Sequence, residues 1–174
     1  MMRHPLVRLA WCLVGAGTGI LFALFVIGRS HAAFVLASLG GSTVFLFGLT
    51  QAPAAQPRAL LGGHLIGAAC GIACVQIFGS SNASAAIAVV LSLALMLLTR
   101  TVHPPAGANP LIMVAAGATW TALWNPVLLG VFSLMGVAFV WSRLYPGLVH
   151  YPVSLRTPSP PSLNWGGWSS PEKR

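Results

Sequence analysis

"TRTVHPPAGANP", Thr99 to Pro110, sets an arginine, a histidine, three prolines and an asparagine inside the most apolar part of the chain. Pro104, Pro105 and Pro110 remove backbone donors, and Gly107 admits conformations closed to other residues. A regular helix through this stretch is therefore precluded, and the spacing predicts an extended or irregular backbone from Pro104. Within hydrocarbon such a backbone is tolerated only where it is buried in protein or lines a water-filled cavity.

The surroundings say that hydrocarbon is the right solvent to consider. Of 174 residues, 56% are hydrophobic and 6% are charged, whereas a soluble domain carries about 25% charged residues. Charge-free runs extend from Leu9 to Gly28, Ser30 to Pro57, Ala59 to Thr99 and Thr101 to Ser142, and a spanning helix needs about 20 apolar residues. The chain reads as an all-α integral membrane protein. One transmembrane domain covers residues 1–150, and residues 151–174, with "TPSPPS" and "WGGWSSPEKR", form a flexible Pro/Ser-rich tail. The N-terminal apolar run exceeds the h-region of a signal peptide, so it reads as a retained first helix.

Turn-forming residues divide the domain into six segments: Leu9 to Ile27, Ala32 to Leu49, Ala59 to Phe78, Ala83 to Leu98, Thr101 to Trp120 and Leu123 to Trp141. With six crossings and the N-terminus inside, eight of the nine basic residues are cytoplasmic and only Arg29 is outside, the asymmetry expected of cytoplasmic Lys and Arg. The same thin spread of basic residues at segment ends argues against nucleic acid as a partner, despite a net charge of +8. It suits topology and lipid headgroup contacts instead.

The halves of the domain echo each other. "GGSTVFLFG", Gly40 to Gly48, and "AGANPLIMV", Ala106 to Val114, each set small residues before an apolar run. "QPRALLGG" is answered by "NPVLLGV" at nearly the same offset. Halves of three crossings enter the membrane in opposite senses, so the pattern predicts two inverted repeats with broken second segments. In that design substrate binds where the breaks meet near the bilayer midplane.

The residues at the two breaks define a candidate site. Asn109 before Pro110 suits a helix N-cap, and the helix begun there would aim its positive end into the membrane, an anion-binding arrangement. In the first half, Gly41 lies in the break "LGGST", and Ser42 or Thr43 can cap the second part of that segment and offer a hydroxyl. The bland alternative for Gly40, Gly41 and Gly107 is that small residues let helices cross closely. His103 and His64 are intramembrane ionisable groups; His103 can carry a co-transported proton or add charge to an anion site. Arg100 marks the cytoplasmic face and also draws anions towards the site.

No carboxylate joins these groups, because the single acidic residue, Glu172, lies in the tail. The set favours an anion over a metal cation. Cys12, Cys70 and Cys74 fall inside apolar segments and read as packing residues rather than metal ligands. No Ser/His/Asp set, acidic pair or metal cluster points to an enzyme, and no cofactor is implied.

At "LTRTVHPPAGANPLI" the chain closely resembles the HPP family of integral membrane proteins, named for the tripeptide matched by His103, Pro104 and Pro105. "GSTVFLFG...PAAQPRALLGGHLIGA" looks like the other well-matched region, and the resemblance runs from Leu13 to Tyr145. It implies a permease for nitrite or another small anion, as attributed to plastid and photosynthetic-bacterial members, and so placement in a bacterial inner membrane. An anion channel, and a non-transporting membrane module that anchors or signals to a partner, remain as other readings. A homo-oligomer is compatible with all of them.

Overall fold

The structure is a computed structural model that describes residues 4–28, 33–145 and 147–162. Arg3, Arg29, Glu172, Lys173 and Arg174, used above for topology and charge, lie outside these residues. The described chain is all-helical and contains no strand, only an isolated bridge between Thr101 and Ser159.

Six α-helices occur in order: α1 (Pro5–Ile27), α2 (Ala33–Thr43), α3 (Pro57–Phe78), α4 (Asn82–Thr99), α5 (Asn109–Ala115) and α6 (Leu129–Trp141). Among the described residues, four helical stretches are long and apolar enough to cross a membrane: Pro5–Ile27, Pro57–Phe78, Asn82–Thr99 and Trp120–Trp141. The last gains its length from a 3-10 turn and a π-helical turn that lead into α6. Ends are set by local chemistry. Ser81 and Ser84 exchange reciprocal side-chain and backbone hydrogen bonds that start α4, and Pro57 opens α3, where its missing N–H has no helical partner to lose.

The stretch Ala33–Gly48 differs from the sequence expectation. The predicted break at Leu39 to Thr43 is absent: α2 runs through Gly40 and Gly41 and continues into a π-helical turn, Val44–Gly48. Gly41 serves a different purpose, since a Cβ there would lie 2.8 Å from the Cβ of Pro105. Gly41 permits a close crossing instead of breaking the helix, whereas Gly40 faces open space.

The second break is real but differs in form. His103 is extended, and Pro104–Ala108 then form a 3-10 turn, the irregular rather than the extended of the two forms expected. Proline's fixed φ is as compatible with that turn as with extended chain. Asn109 is the first residue of α5 rather than its cap; Ala108 takes the cap position and no side chain caps the helix. The backbone N–H of Asn109 is already bonded to the carbonyl of Ala106. The anion-binding helix end expected at α5, which is only seven residues long, is therefore not presented.

α3 receives this irregular segment. Gly63, Gly67 and Gly71 recur every four residues and so share one face. Added Cβ atoms there would lie 2.8 Å from the Cβ of His103, 2.6 Å from the carbonyl oxygen of Ala106 and 2.7 Å from the Cβ of Met113. The bare face is a groove in which the 3-10 turn and α5 lie. Ser80 then donates to the carbonyl of Val114 (2.9 Å) and Gln76 to that of Ala118 (3.1 Å), fixing the far end of the segment beside the end of α3. The segment from His103 to Ala118 thus tracks α3 from its first turns to its last.

On the other flank α1 packs on α6, with Trp11 stacked on Trp141 at 4.4 Å between ring centroids. All five arginines among the described residues lie at one end: Arg8 in α1, Arg58 at the start of α3, Arg100 after α4, Arg143 after α6, and Arg156. Arg58 links three of these places by donating to the carbonyls of Thr99 and Arg156.

The segment read as a flexible tail from Tyr151 is anchored here over its first part. Tyr151 is buried. The backbone N–H groups of Val153 and Ser154 donate to Oε1 of Gln56, and Ser159 exchanges backbone hydrogen bonds with Arg100 and Val102. The physical reason is satisfaction of loop polar groups: residues 99–103 and 49–56 leave donors and acceptors that this strap pairs.

Candidate functional site

Three elements bring four of the expected residues to one point. α2 supplies Ser42, α3 supplies His64, and the segment after α4 supplies His103 and Asn109. Exposure is 0% for Ser42, His103 and Asn109 and 1% for His64, so all are withdrawn from solvent and lipid alike. Ser42 Oγ lies 2.8 Å from Nε2 of His64 and 2.8 Å from Nε2 of His103. It also lies 2.9 Å from the carbonyl oxygen of Ser38 one turn earlier.

The proton positions on both rings are set by their other partners. His103 Nδ1 faces the carbonyl oxygen of Ala54 at 2.7 Å, so Nδ1 carries hydrogen and donates. In the neutral ring Nε2 is then bare. Asn109 Nδ2 donates to Nδ1 of His64 at 3.0 Å and to the His64 carbonyl at 3.1 Å. The carbonyl contact requires a donor, which fixes the orientation of the amide. His64 Nδ1 is therefore the acceptor, and its Nε2–H donates to Ser42. Asn109 Oδ1 is left buried without a partner.

The other expected site residues fall elsewhere. Gly41 adjoins the cluster through Pro105, while Thr43 turns its hydroxyl back to the carbonyl of Leu39. Gly107 is exposed with open space around it. Arg100 sits at the arginine end, where its guanidinium donates to the carbonyls of Pro160 and Pro161. The depth of the cluster follows from α3. His64 stands seven residues beyond Pro57, roughly 10 Å along a helix of about 33 Å at 1.5 Å per residue. The cluster is thus on the arginine side of the middle of α3, about 6 Å from it at 1.5 Å per residue.

Two contributors were not apparent in the sequence. Ala54 offers only its carbonyl, presented by the 3-10 turn Pro53–Ala55. Gln56 holds that loop in place: its Nε2 donates to the carbonyls of Thr50 and Ala52 while its Oε1 accepts from the strap. A glutamine between prolines and alanines, in "QAPAAQPR", was the available signal. The edge of Phe45 packs on the His103 ring at 5.3 Å and closes the remaining side.

A cavity of about 360 Å³ opens separately at the arginine end, between α1 and α6. Arg8, Trp11, Thr50, Gln51 and Ser142 are among its lining residues, and none of the four cluster residues reaches it. The polar cluster and this cavity are therefore different places.

Comparison with known proteins agrees with the tripeptide at His103. The family profile described as HPP, transmembrane region, matches residues 1–152. The chain belongs to the HPP transmembrane family. Its relatives include two transmembrane proteins of Dictyostelium discoideum, each 31% identical to this chain. One matches over 162 residues, 83% of this chain and 52% of the relative; the other over 156 residues, 80% and 55%. This HPP chain spans about half the length of those relatives. No solved structure matches it at a significant level. Within an HPP membrane protein, the cluster places the histidine of the family tripeptide against a hydroxyl and a second imidazole.

Proposed function

We propose that this protein is a permease for a small inorganic anion, nitrite being the anion implied by the family resemblance, with Ser42, His64, His103 and Asn109 as the recognition cluster. The observation that carries the reading is the burial of two imidazoles, a hydroxyl and an amide together inside an apolar bundle. Polar groups are expensive in that setting and mark solute pathways by default. The absence of a carboxylate from the cluster spares an anion like-charge repulsion. The anion site lies at this cluster, on the arginine side of the middle of α3, rather than at the helix ends.

Six crossings fit this function, with the N-terminus and the arginine end facing the cytoplasm of a bacterial inner membrane. Ala33–Gly48 rises roughly 24 Å at 1.5 Å per residue, close to the ~30 Å hydrocarbon core. The segment from His103 to Ala118 provides the fifth crossing. An inverted repeat would relate α2 to this segment, and the contact between Gly41 and Pro105 is where its axis would pass.

The test is uptake into liposomes that contain the purified protein, comparing nitrite, nitrate, formate and chloride. Nitrite uptake that is lost in His103→Ala, with the variant still folded, is the expected result. A second reading, a non-transporting membrane module, draws on the packed contact of Gly41 with Pro105, where a permease would open a path. Absence of uptake of all four anions by well-folded protein favours that reading.

A further inference from the structure

Ser42 has one hydroxyl proton and three neighbours. His64 Nε2–H uses one of its two lone pairs, as the partners of His64 require. In the neutral cluster the Ser42 proton has two competing acceptors at hydrogen-bond distance, Nε2 of His103 at 2.8 Å and the Ser38 carbonyl at 2.9 Å. One additional proton resolves this competition. With a proton on His103 Nε2, Ser42 accepts from both imidazoles and donates to Ser38, so that every lone pair and hydrogen of the hydroxyl is engaged. Both arrangements use the same heavy-atom positions.

We propose that His103 takes up one exchangeable proton on Nε2, with the Ser42 hydroxyl turning from His103 to the Ser38 carbonyl, so that this cluster is a proton-binding site. The added proton bonds to the free electron pair of Nε2, and no bond between heavy atoms forms or breaks. His64 is a positioning residue: held by Asn109, it always presents Nε2–H to Ser42 and fixes which lone pair remains for His103.

The groups that face His103 are few. They are Ser42 from α2, the edge of Phe45 from the π-helical turn, His64 from α3 at 5.2 Å between ring centroids, and the Ala54 carbonyl from the loop. His64 is the only other titratable group among them. Arg58 and Arg100 are engaged with carbonyls at the arginine end. An added charge is costly in such surroundings, and a monovalent anion beside it offsets that cost. Proton and anion therefore load together as a neutral pair; this coupling rests on the permease reading, whereas the proton site does not.

The experiment is ¹⁵N NMR of histidine-labelled full-length protein in lipid nanodiscs, titrated from pH 8 to pH 5 with and without sodium nitrite. His103 should keep Nδ1–H throughout and gain Nε2–H in a single step, with nitrite moving the midpoint upward. His64 should keep its Nε2–H form. Ser42→Ala removes the acceptor for the new N–H and should lower the midpoint by about one pH unit, tenfold in proton affinity; His103→Gln should abolish the step. A His103 ring that stays neutral over the whole range with nitrite present overturns the proposal, as does a midpoint unchanged in Ser42→Ala. The wild-type titration alone decides the matter where Ser42→Ala does not fold. In liposomes, nitrite uptake without lumenal acidification overturns the coupling and leaves the permease standing. A titrating His103 without any nitrite uptake overturns the permease and leaves the proton site standing.

Discussion

Asn109 shows how one buried side chain sets the chemistry of its neighbours. Its amide gives both hydrogens to His64, one to the ring and one to the carbonyl, and this pins the ring's tautomer. Asn109→Ala strips two partners from a buried residue, and leaving such groups unmet costs about 1–3 kcal/mol. A fall of that size in unfolding free energy is expected in denaturant titration of the micelle-held protein; a change below about 0.5 kcal/mol would show that His64 finds other partners. Tyr151 presents the opposite case, a buried hydroxyl without a partner. Burial pushes its phenol above the ordinary tyrosine range, so the folded state holds the proton more tightly than the unfolded chain. Stability is then full below about pH 10, the unfolded value, and is lost as pH rises beyond it. Tyr151→Phe should be neutral or stabilising at pH 7 and should remove this alkaline loss, as read from melting temperatures at pH 8 and pH 11.

The glycine face of α3 decides where the irregular segment can lie. Gly67 faces the Ala106 carbonyl so closely that an added Cβ would sit 2.6 Å from it, and a backbone oxygen cannot swing away as a flexible side chain would. Gly67→Ala should therefore displace the 3-10 turn and destabilise by about 1–3 kcal/mol, the range for overpacking. Gly107→Ala, within that same turn, meets open space and should change stability by less than about 0.5 kcal/mol. Unfolding of the two variants side by side checks the contrast; equal effects would mean that the groove does not hold the turn. Gly63, Gly67 and Gly71 were not singled out in the sequence, and their role appears only once the turn lies against them. Glycine spacing records a close approach without recording what approaches. The second helix makes the same point, since "LGGST" reads as a break or as a crossing point, and only the position of Pro105 against Gly41 decides between them.

At the scale of the molecule, the five arginines among the described residues gather at one end although they are scattered along the chain. If that end faces the cytoplasm, Gln51→Cys and Ser162→Cys should be labelled from one side of the membrane by an impermeant thiol reagent and Asn82→Cys from the other. Labelling of Asn82→Cys from the same side as Gln51→Cys would refute the paired crossings of α3 and α4. The composition, the apolar runs and the tripeptide at His103 determined by themselves that this is a helical membrane protein of the HPP family with a polar interruption in its second half. These features are legible because the bilayer acts on each segment separately, demanding length and apolarity that any sequence window displays. Tertiary structure alone decided that Ser42, His64, His103 and Asn109 share hydrogen bonds, that Thr43, Gly107 and Arg100 stand apart, and that the strap from Tyr151 to Ser159 is packed onto the domain. Those outcomes depend on backbone carbonyls, such as that of Ala54, and on close approaches between distant segments, neither of which is written in the identity of any single residue.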